Sequence, residues 1–286
     1  MHEPLHIDDQ ASSLREWSRQ QTVTKSKGPV YQWAVTSGKG GVGKSVFALN
    51  FALSLIENGR TVLLVDADEN LGKLDVMLGQ SPKYRIPDVM SGTATVQDAV
   101  VEPIPGCFLL AGSSGSMDYP EITETERKEF IVKVTEALPQ VTDVVVDTAA
   151  GIQPKVVSYA ASADEVIVVS HHEPVAILDA YAVIKMVNAR NASVRIDVVM
   201  NRSTNVTECD EAASKLQKAV RHFLAADVQY LGVVPYDETV GRSIVQQRPL
   251  VRIAPNASSA LCIRSIARAL ASRRVPARNK HEMVYA

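Results

Sequence analysis

The segment from Gly38 to Ser45, GKGGVGKS, constrains the fold of this chain more than any other feature. It fits the phosphate-binding loop pattern G-x-x-x-x-G-K-[ST], which requires a strand before it and a helix after it. The apolar run from Tyr31 to Thr36 predicts a buried strand, and Val46–Leu55 predicts a helix. We therefore expect a strand, a glycine-rich turn and a helix whose first N–H groups surround a polyphosphate.

Within this loop we expect each residue to contribute to a nucleoside triphosphate site. Lys44 is predicted to reach the β- and γ-phosphates, and the hydroxyl of Ser45 is predicted to bind Mg²⁺. Lys39 is a second lysine that the pattern does not require; it is either an exposed loop lysine or a cation for the triphosphate of a facing subunit. The predicted contacts are Gly38, Lys39, Gly40, Gly41, Val42, Gly43, Lys44 and Ser45.

Carboxylates follow two other apolar runs. Asp66 and Asp68 come directly after Thr61–Val65, and Asp147 comes directly after Val144–Val146. At the carboxyl end of a strand beside a phosphate loop, a carboxylate can hold the water shell of Mg²⁺ or orient an attacking water. Asp147 has the form expected of a magnesium-site carboxylate, whereas a pair of solvated surface acids remains the alternative for Asp66 and Asp68.

Apolar runs of four to seven residues alternate with helical stretches along the chain, which predicts an α/β fold with a mostly parallel, doubly wound sheet and helices on both faces. Because no break in composition appears inside it, we predict one domain over residues 29–274, preceded by a flexible segment (1–28) and followed by a tail (275–286). The remaining predicted strands are Cys107–Leu110, Asp143–Val146, Val166–Val169, Ile196–Met200 and Val228–Val234. The remaining predicted helices lie near Glu124–Leu138, Lys155–Ala161, Ala176–Asn188, Glu211–Phe223 and Ser259–Ala271.

The polar N-terminal segment contains one stretch with helical spacing. Between Asp9 and Trp17, the side chains of Ala11, Leu14 and Trp17 would share one narrow helical face. A helix this short does not persist alone in water, so it needs a surface on which to fold. The two alternatives are a disordered tail and a partner-docking helix.

Composition excludes several classes of protein. A net charge of −2 and a pI near 6.3 argue against attraction of the whole surface to nucleic acid. Cys107, Cys209 and Cys262 are far apart and form no C-x-x-C pair, which excludes a cysteine-ligated cluster of the nitrogenase-reductase type. No signal-peptide core and no run of about 18 apolar residues occurs, so we expect a cytoplasmic protein.

The loop from Lys39 to Ser45 resembles the deviant Walker A motif of the MinD/ParA ATPases. Asp66–Asp68 and Asp147–Gly151 resemble the switch I and switch II segments of that family, and the resemblance extends over residues 30–272. It implies ATP and Mg²⁺ as cofactors, slow ATP hydrolysis and a homodimer that forms face to face on ATP. The implied catalytic residues are Lys39, which contacts the partner's phosphates, Lys44, and Asp68, which positions water; Ser45, Asp66 and Asp147 support the metal, and Asn201 and Pro235 lie at the adenine.

Within this family, four segments are similar to the flagellar number regulators of the FlhG/FleN type: Leu74–Gly79, Asp179–Lys185, Gly232–Glu238 and Asp9–Arg15. The last is similar to the D-Q-A-x-x-L-R activator motif. That resemblance favours the docking helix and implies an FlhF-like GTPase as a partner. Flagellar C-ring proteins or a flagellar transcription activator are further implied partners, as is a location at the inner membrane or cell pole. The implied contacts to the GTPase are Asp9, Gln10, Ala11, Leu14 and Arg15.

The chain departs from the family pattern in three places. Lys73 stands where an asparagine is common, and His171 and His172 replace nearby hydroxyls without a third metal ligand close in sequence. Ser259–Arg274 is amphipathic and is either a membrane-binding helix or the last packing helix of the domain.

Two alternative functions stay open: a ParA-like partition ATPase that binds DNA nonspecifically, and a non-catalytic ATP-sensing antiactivator.

Overall fold

The computed structural model describes residues 30–68, 72–113, 115 and 123–273. Eight strands form one sheet, and all of them except β3 run parallel to their neighbours. This confirms the predicted α/β fold with a mostly parallel sheet. The strands are β1 (Tyr31–Ser37), β2 (Val62–Ala67), β3 (Val100–Ile104), β4 (Cys107–Leu110), β5 (Asp143–Ala150), β6 (Glu165–Ser170), β7 (Arg195–Ser203) and β8 (Gln229–Pro235).

The helices cover both faces of this sheet. Six were predicted from the spacing of apolar residues, and the five shorter ones, α2, α3, α4, α9 and α10, were not. The helices are α1 (Lys44–Glu57), α2 (Leu74–Met77), α3 (Ile86–Met90), α4 (Val96–Ala99), α5 (Glu124–Glu136), α6 (Pro154–Ser162), α7 (Pro174–Arg190), α8 (Val206–Leu224), α9 (Glu238–Val245), α10 (Leu250–Ile253) and α11 (Ser258–Arg273).

Strand β3 lies at one edge of the sheet and was not predicted. It pairs antiparallel with β4, with Val100 opposite Leu110 and Ile104 opposite Cys107. Its five residues include Pro103, which has no N–H to donate and is tolerated in a sheet only at an edge or a bulge. A short run interrupted by proline has too little alternation to predict a strand from sequence alone.

The buried side chains of β1 show why both faces need helices. Trp33 and Val35 belong to the core that α1 and α11 cover, whereas Ala34 belongs to the core that α6, α7 and α8 cover. Successive residues of a strand point to opposite faces, and here both faces are apolar. The sheet is therefore enclosed between two helical layers, and its ends rather than its faces are accessible to ligands.

The strand order is β3-β4-β2-β5-β1-β6-β7-β8. Strand β1 lies between β5 and β6, so the phosphate loop that follows β1 lies beside the carboxyl end of β5. Strand β2 is the next neighbour of β5. The carboxyl ends of three adjacent strands thus bring the loop, Asp147 and Asp66 to one edge of the sheet, where ligands of such folds bind.

The C-terminal helix α11 packs into the core of the domain. Ile263, Ile266, Ala267 and Leu270 are almost fully buried in the cluster that contains Trp33 and Phe47. The apolar face of α11 is therefore used for packing, and Leu261, 51% exposed, is the large apolar side chain of this helix that remains exposed. Within the described ranges, no helix combines the length and the apolar character that crossing a membrane requires.

The predicted N-terminal helix and its contacts Asp9, Gln10, Ala11, Leu14 and Arg15 lie outside the described residues, as does the tail after Arg273. The division into residues 1–28, 29–274 and 275–286 therefore stays a prediction.

Candidate nucleotide site

The glycines of the phosphate loop adopt backbone conformations that other residues rarely take. Gly41 and Gly43 have φ angles of +82° and +86°. A Cβ atom on Gly43 would lie 2.4 Å from the side-chain nitrogen of Asn201, so this position needs glycine for its conformation and for its space. Helix α1 begins at Lys44, directly after Gly43, which leaves the N–H groups of its first turn for an anion.

Lys44 is buried at the base of the loop, where it forms an ion pair. Its Nζ lies 2.5 Å from Oδ1 of Asp147, and the two side chains are 9% and 2% exposed. The same ammonium group donates a hydrogen bond to the Ser45 hydroxyl at 3.3 Å. The structure thus brings together three residues that were predicted to share the phosphate and metal chemistry.

Asp66 lies opposite Asp147 in the register between β2 and β5. Its carboxylate accepts hydrogen bonds from the backbone N–H groups of Lys73 at 2.6 Å, Leu74 at 3.0 Å and Asp68 at 3.3 Å. Burial, and then the negative charge of Asp147, raises the pKa of Asp66 to about 6, although the three N–H donors act in the opposite direction.

This donor set fits a magnesium ion. Mg²⁺ keeps several waters and takes one or two protein carboxylates together with substrate phosphates. The Ser45 hydroxyl and the carboxylates of Asp66 and Asp147 supply oxygen ligands of that kind, and the repulsion that raises the pKa of Asp66 is relieved when a cation lies between two acids. The chemistry of the site therefore agrees with the predicted metal.

Asp68 lies at the rim of the same region and forms an ion pair with Lys73. Its Oδ2 is 3.5 Å from the Nζ of Lys73, and the Asp68 side chain is 17% exposed. Lys73 is the residue that replaces the asparagine common in the family. The structure thus gives this departure a partner, because the half-exposed Lys73 pairs with the carboxylate that was predicted to position water.

The two lysines of the loop have different surroundings. Lys44 is buried, whereas the side chain of Lys39 is 48% exposed, with its Nζ 3.8 Å from the half-exposed carboxylate of Glu173. An exposed ion pair of this length contributes little to stability, because water screens it. Lys39 is therefore available to a ligand or to a second protein at the mouth of the site.

Residues from β7 approach the loop from the opposite side. The Asn201 side chain donates a hydrogen bond to the carbonyl of Val42 at 2.8 Å, and the Arg202 guanidinium donates one to the carbonyl of Gly41 at 2.8 Å. Arg202 has a φ angle of +56°. Asn201 and Arg202 thus hold the loop in shape, a role that the sequence did not predict.

A cavity of about 600 Å³ extends from the loop toward β8 and α9, within the usual size of a small-molecule site. Most of the predicted contacts line this one cavity, whereas Gly38 and the buried Val42 do not; the lining residues among them are Lys39, Gly40, Gly41, Gly43, Lys44, Ser45, Asp68, Asn201 and Pro235. Further lining residues were not predicted, among them Tyr236, Asp237, Val240 and Ile263. The sequence signal that could have identified Tyr236, Asp237 and Val240 is their position shortly after the carboxyl end of β8. Ile263 lies on α11, which contacts β8.

Asp237 has a structural role in this wall of the cavity. It caps α9 by accepting hydrogen bonds from the N–H and hydroxyl of Thr239, and it also accepts one from the Ser259 hydroxyl of α11 at 3.0 Å. Burial acts to raise its pKa, but these hydrogen bonds outweigh it and lower the pKa of Asp237 below the usual value. The cap joins α9 to α11 and so fixes the far end of the cavity.

The histidine pair lies beside this site, where His172 contacts polar side chains of β7 and α8. His172 Nε2 is 3.2 Å from a carboxylate oxygen of Glu208, and its Nδ1 is 3.4 Å from the Ser203 hydroxyl. Burial, and then the charge of Arg202, lowers the pKa of His171. Among the described residues, no group of three or more His, Cys, Asp or Glu side chains is arranged to hold a metal ion.

A phosphate loop between β1 and α1, a buried lysine and two facing carboxylates at the carboxyl edge of a parallel sheet define a P-loop nucleotide-binding protein. The family model described as the CobQ/CobB/MinD/ParA nucleotide binding domain matches residues 33–250. The chain belongs to this family.

Comparison with known proteins supports a narrower resemblance. Antiactivator FleN of Pseudomonas aeruginosa is 36% identical over 249 residues, which are 87% of this chain and 89% of that protein. Flagellum site-determining protein YlxH of Helicobacter pylori is 33% identical over 249 residues, 87% of this chain and 84% of that protein. The resemblance to family members of the FlhG/FleN type is confirmed.

Solved structures agree with the fold. The cell division ATPase MinD of Pyrococcus furiosus superposes with a TM-score of 0.72 at 24% identity, covering 85% of this chain and 99% of that one. MinD of Pyrococcus horikoshii, complexed with Mg-ADP, superposes with a TM-score of 0.72 at 24% identity, covering 90% and 99%. Similarity at this level of identity establishes the architecture.

Proposed function

We propose that this protein is an ATP-dependent dimerising switch, a slow ATP hydrolase that regulates the number or placement of flagella. The observation that carries the proposal is the contrast between the two lysines of one loop: Lys44 is buried against Asp147, and Lys39 is half exposed at the mouth of the site. One lysine serves the phosphates bound by its own subunit, and the other serves the phosphates of a facing subunit.

In this proposal ATP binding exchanges one buried ion pair for another. Lys44 leaves Asp147 and binds the β- and γ-phosphates, and the N–H groups of the first turn of α1 bind the same anion. The carboxylate of Asp147, with Asp66 and the Ser45 hydroxyl, then supports Mg²⁺, which neutralises charge on the phosphates when bound. Asn201 and Pro235 lie at the adenine, and Asn201 keeps Val42 in place.

Asp68 orients the hydrolytic water in this proposal. Its ion pair with Lys73 competes with that task, because a carboxylate neutralised by an ammonium group is a weaker hydrogen-bond acceptor for water. Hydrolysis is therefore slow until dimerisation rearranges this rim. The proposed rate suits a switch, in which the lifetime of the ATP form rather than the turnover carries the signal.

The flagellar role is supported by the two relatives whose names refer to flagella or to an antiactivator, and by the N-terminal activator-like motif. We propose that Asp9, Gln10, Ala11, Leu14 and Arg15 contact an FlhF-like GTPase. A flagellar transcription activator or C-ring proteins would bind the ATP form, and the protein would act in the cytoplasm, at the inner membrane or at the cell pole.

The central test compares Asp68→Ala with the wild type and with Glu211→Ala, an exposed acid of α8. Mass in solution and ATP turnover are measured for each protein with and without ATP. We expect Asp68→Ala to accumulate as an ATP-bound dimer with turnover lowered at least about tenfold, and Glu211→Ala to behave as wild type. The switch proposal fails if ATP changes the mass of none of the three proteins.

Lys39→Ala tests whether Lys39 and Lys44 have different roles. We expect it to bind ATP and to stay monomeric, with turnover lost, because the cation for the facing subunit is absent. Lys218→Ala, an exposed lysine of α8, is the matched control and should dimerise normally. Normal dimerisation and turnover of Lys39→Ala would show that Lys39 is only a loop lysine.

The partner role is tested separately with Gln10→Ala combined with Leu14→Asp. These changes should leave ATP turnover intact and abolish stimulation of the GTPase. Unchanged stimulation would refute docking through this motif without affecting the ATP switch.

A non-catalytic ATP-sensing antiactivator is the second candidate, favoured by the ion pair that occupies Asp68 and by the name of the Pseudomonas aeruginosa relative. It predicts ATP-dependent dimers in the wild type with no turnover above that of Asp68→Ala. The same mass and turnover measurements therefore distinguish the two candidates.

A further inference from the structure

Lys73 is anchored at its backbone, whereas its side chain extends into solvent. Its N–H donates a hydrogen bond to the Asp66 carboxylate at 2.6 Å, and the N–H of Leu74 donates one to the same oxygen at 3.0 Å. The preceding Gly72 donates to the carbonyl of Ser113 at 2.8 Å, and the Leu74 side chain is fully buried in the core. The Lys73 side chain, by contrast, is 53% exposed. A fixed backbone therefore carries a cation on a flexible stem.

The anchor places this cation beside the proposed phosphate and metal groups. Lys73 lines the cavity together with Asp68 and Lys44. Its N–H is bonded to Asp66, which is paired in register with Asp147 on a neighbouring strand, and such strands lie about 4.8 Å apart. A lysine ammonium group is a compact charge that can change partners when its stem rotates. Lys73 can therefore pair with Asp68, as it does here, or with an anion that is held beside Lys44.

The ion pair between Lys73 and Asp68 contributes little to the stability of the fold. The two charged atoms are 3.5 Å apart and the lysine is half exposed, so water screens their attraction. Asparagine, the residue common at this position in the family, could occupy the same backbone without any charge. What the lysine adds is one positive charge at the mouth of the site, and its effect depends on the other charges there.

ATP and ADP differ at this place by one phosphate group. The γ-phosphate of ATP would enter a region that already contains the carboxylates of Asp66 and Asp147 on adjacent strands and that of Asp68 at the rim. In the proposed function Mg²⁺ and Lys44 offset the charge of the phosphates and of the two strand carboxylates. The positive charge beside Asp68 comes from Lys73. Because ADP lacks the group that Asp68 repels, Lys73 should affect ATP binding more than ADP binding.

We infer that Lys73 is a sensor of the γ-phosphate. Without ATP, and with ADP bound, its ammonium group pairs with Asp68. With ATP bound, the ammonium group transfers to an oxygen of the γ-phosphate, and Asp68 is released from the ion pair and can accept a hydrogen bond from water. The inference rests on the proposed function and specifies which ion pair opens when the rim rearranges. Lys73 is thus a specificity-determining residue for ATP over ADP and a positioning residue for Asp68.

The test measures the affinities of the full chain for ADP and for adenylyl imidodiphosphate, a non-hydrolysable ATP analogue, by titration calorimetry with Mg²⁺. We expect Lys73→Asn to weaken binding of the analogue about tenfold, because one charge-assisted phosphate contact is lost, and to keep ADP affinity within about twofold of wild type. Lys218→Asn, at an exposed lysine of α8, is the matched control and should keep both affinities. An unchanged ratio of the two affinities in Lys73→Asn would overturn the inference.

A double variant distinguishes a contact with the phosphate from simple screening of Asp68. In Asp68→Asn the carboxylate is absent, so a lysine that only screens it would have no further effect on binding. If Lys73 binds the γ-phosphate, adding Lys73→Asn to Asp68→Asn should still weaken binding of the analogue about tenfold. Equal affinities of Asp68→Asn and of the double variant would show that Lys73 only neutralises Asp68, which overturns the inference.

Lys73→Arg keeps the positive charge and should keep the preference for the analogue over ADP within about threefold of wild type. Circular dichroism checks that each variant is folded. The sensor and the switch can fail separately. If wild type dimerises on ATP and Lys73→Asn keeps the affinity ratio, only the sensor is refuted. If ATP leaves the mass of wild type unchanged, the switch is refuted, and the affinity ratio still decides the role of Lys73.

Discussion

The two ends of the sheet each hold a pair of buried carboxylates with one cation. At the carboxyl end, Asp66 and Asp147 face each other and Lys44 pairs with Asp147. At the amino end, Arg273 lies 3.3 Å from Glu165 and 3.2 Å from Asp197. The two arrangements contain nearly the same groups, but one lies beside the candidate nucleotide site and the other lies within the packing of the domain.

What differs is the access of each pair to a ligand. At the carboxyl end, Lys44 lines the cavity beside the glycine-rich loop, and we propose that it exchanges Asp147 for a phosphate there. At the amino end, Glu165 and Asp197 have no such access. The Tyr31 hydroxyl donates a hydrogen bond to Glu165 at 2.8 Å, and Arg273, from the last turn of α11, covers both carboxylates. A buried charge becomes functional only where the surroundings leave room for its partner to change.

The largest effect should follow from removing the exchangeable cation. We expect Lys44→Gln to lower ATP affinity at least about 100-fold, because a charge-assisted phosphate contact is lost in a buried site. Titration calorimetry measures the affinity, and circular dichroism checks the fold. Lys218→Gln is the control, and ATP affinity near that of wild type for Lys44→Gln would contradict the assigned phosphate contact.

A substitution at the amino-end cluster of Glu165, Asp197 and Arg273 should change the free energy of unfolding and leave ATP affinity unchanged. Arg273→Ala leaves Glu165 and Asp197 without this guanidinium, which should cost about 3 kcal/mol in the free energy of unfolding. Urea denaturation measures it, with Arg268→Ala, an exposed arginine of the same helix, as the control within about 0.5 kcal/mol of wild type. A loss of ATP affinity in folded Arg273→Ala would show that the two ends are not independent.

The loop itself offers a sharper comparison between two of its glycines. Gly43→Ala should destabilise the protein by about 2 kcal/mol, because the new Cβ would meet Asn201 at 2.4 Å in a left-handed conformation. At Gly40 a Cβ meets nothing within 4 Å, so Gly40→Ala should change the free energy of unfolding by less than about 0.5 kcal/mol. Equal costs in urea denaturation would show that the contact with Asn201 does not shape the loop.

The last comparison concerns the pH dependence that Glu165 and Asp197, the pair at the amino end of the sheet, should give to stability. Burial, and then the hydrogen bond and charge of Glu165, raises the pKa of Asp197 to about 8. The folded protein therefore binds this proton more tightly than the unfolded chain does. The stabilisation is present at low pH and is lost as pH rises through the raised pKa. Raising pH from about 5 to about 8 should therefore lower the free energy of unfolding through this group.

Urea denaturation across that pH range measures the slope, and Asp197→Asn should remove most of it. An unchanged slope in Asp197→Asn would assign the pH dependence to other groups.

Much of the candidate nucleotide site could be predicted from the sequence, because its residues directly follow strands in a short, regular pattern. The loop from Gly38 to Ser45 and the acids Asp66 and Asp147 each stand directly after an apolar run. In a parallel sheet this position is enough to bring them together. The cluster at the amino end of the sheet has no such pattern. Its residues come together only through the strand order and the packing of α11; they are Tyr31, Glu165, Asp197 and Arg273.

Local departures were visible in the sequence, but their partners were not. Lys73 stood out as a replacement, yet only the structure shows it at 3.5 Å from Asp68. Asn201 was expected at the adenine, and the structure adds its hydrogen bond to Val42. Strand β3 and the five short helices were missed, because four to eight residues carry too little periodicity to separate a helix or an edge strand from a loop.

The sequence by itself determined the fold class, the phosphate loop and the class of ligand, because each depends on a local pattern of residue types that only one backbone arrangement satisfies. The tertiary structure alone decided which lysine is buried, which carboxylate is neutralised and that the apolar face of α11 belongs to the core. Burial and pairing depend on side chains that are distant in sequence. They arise only when strands and helices pack, and packing sets the environment that makes an ordinary aspartate or lysine functional.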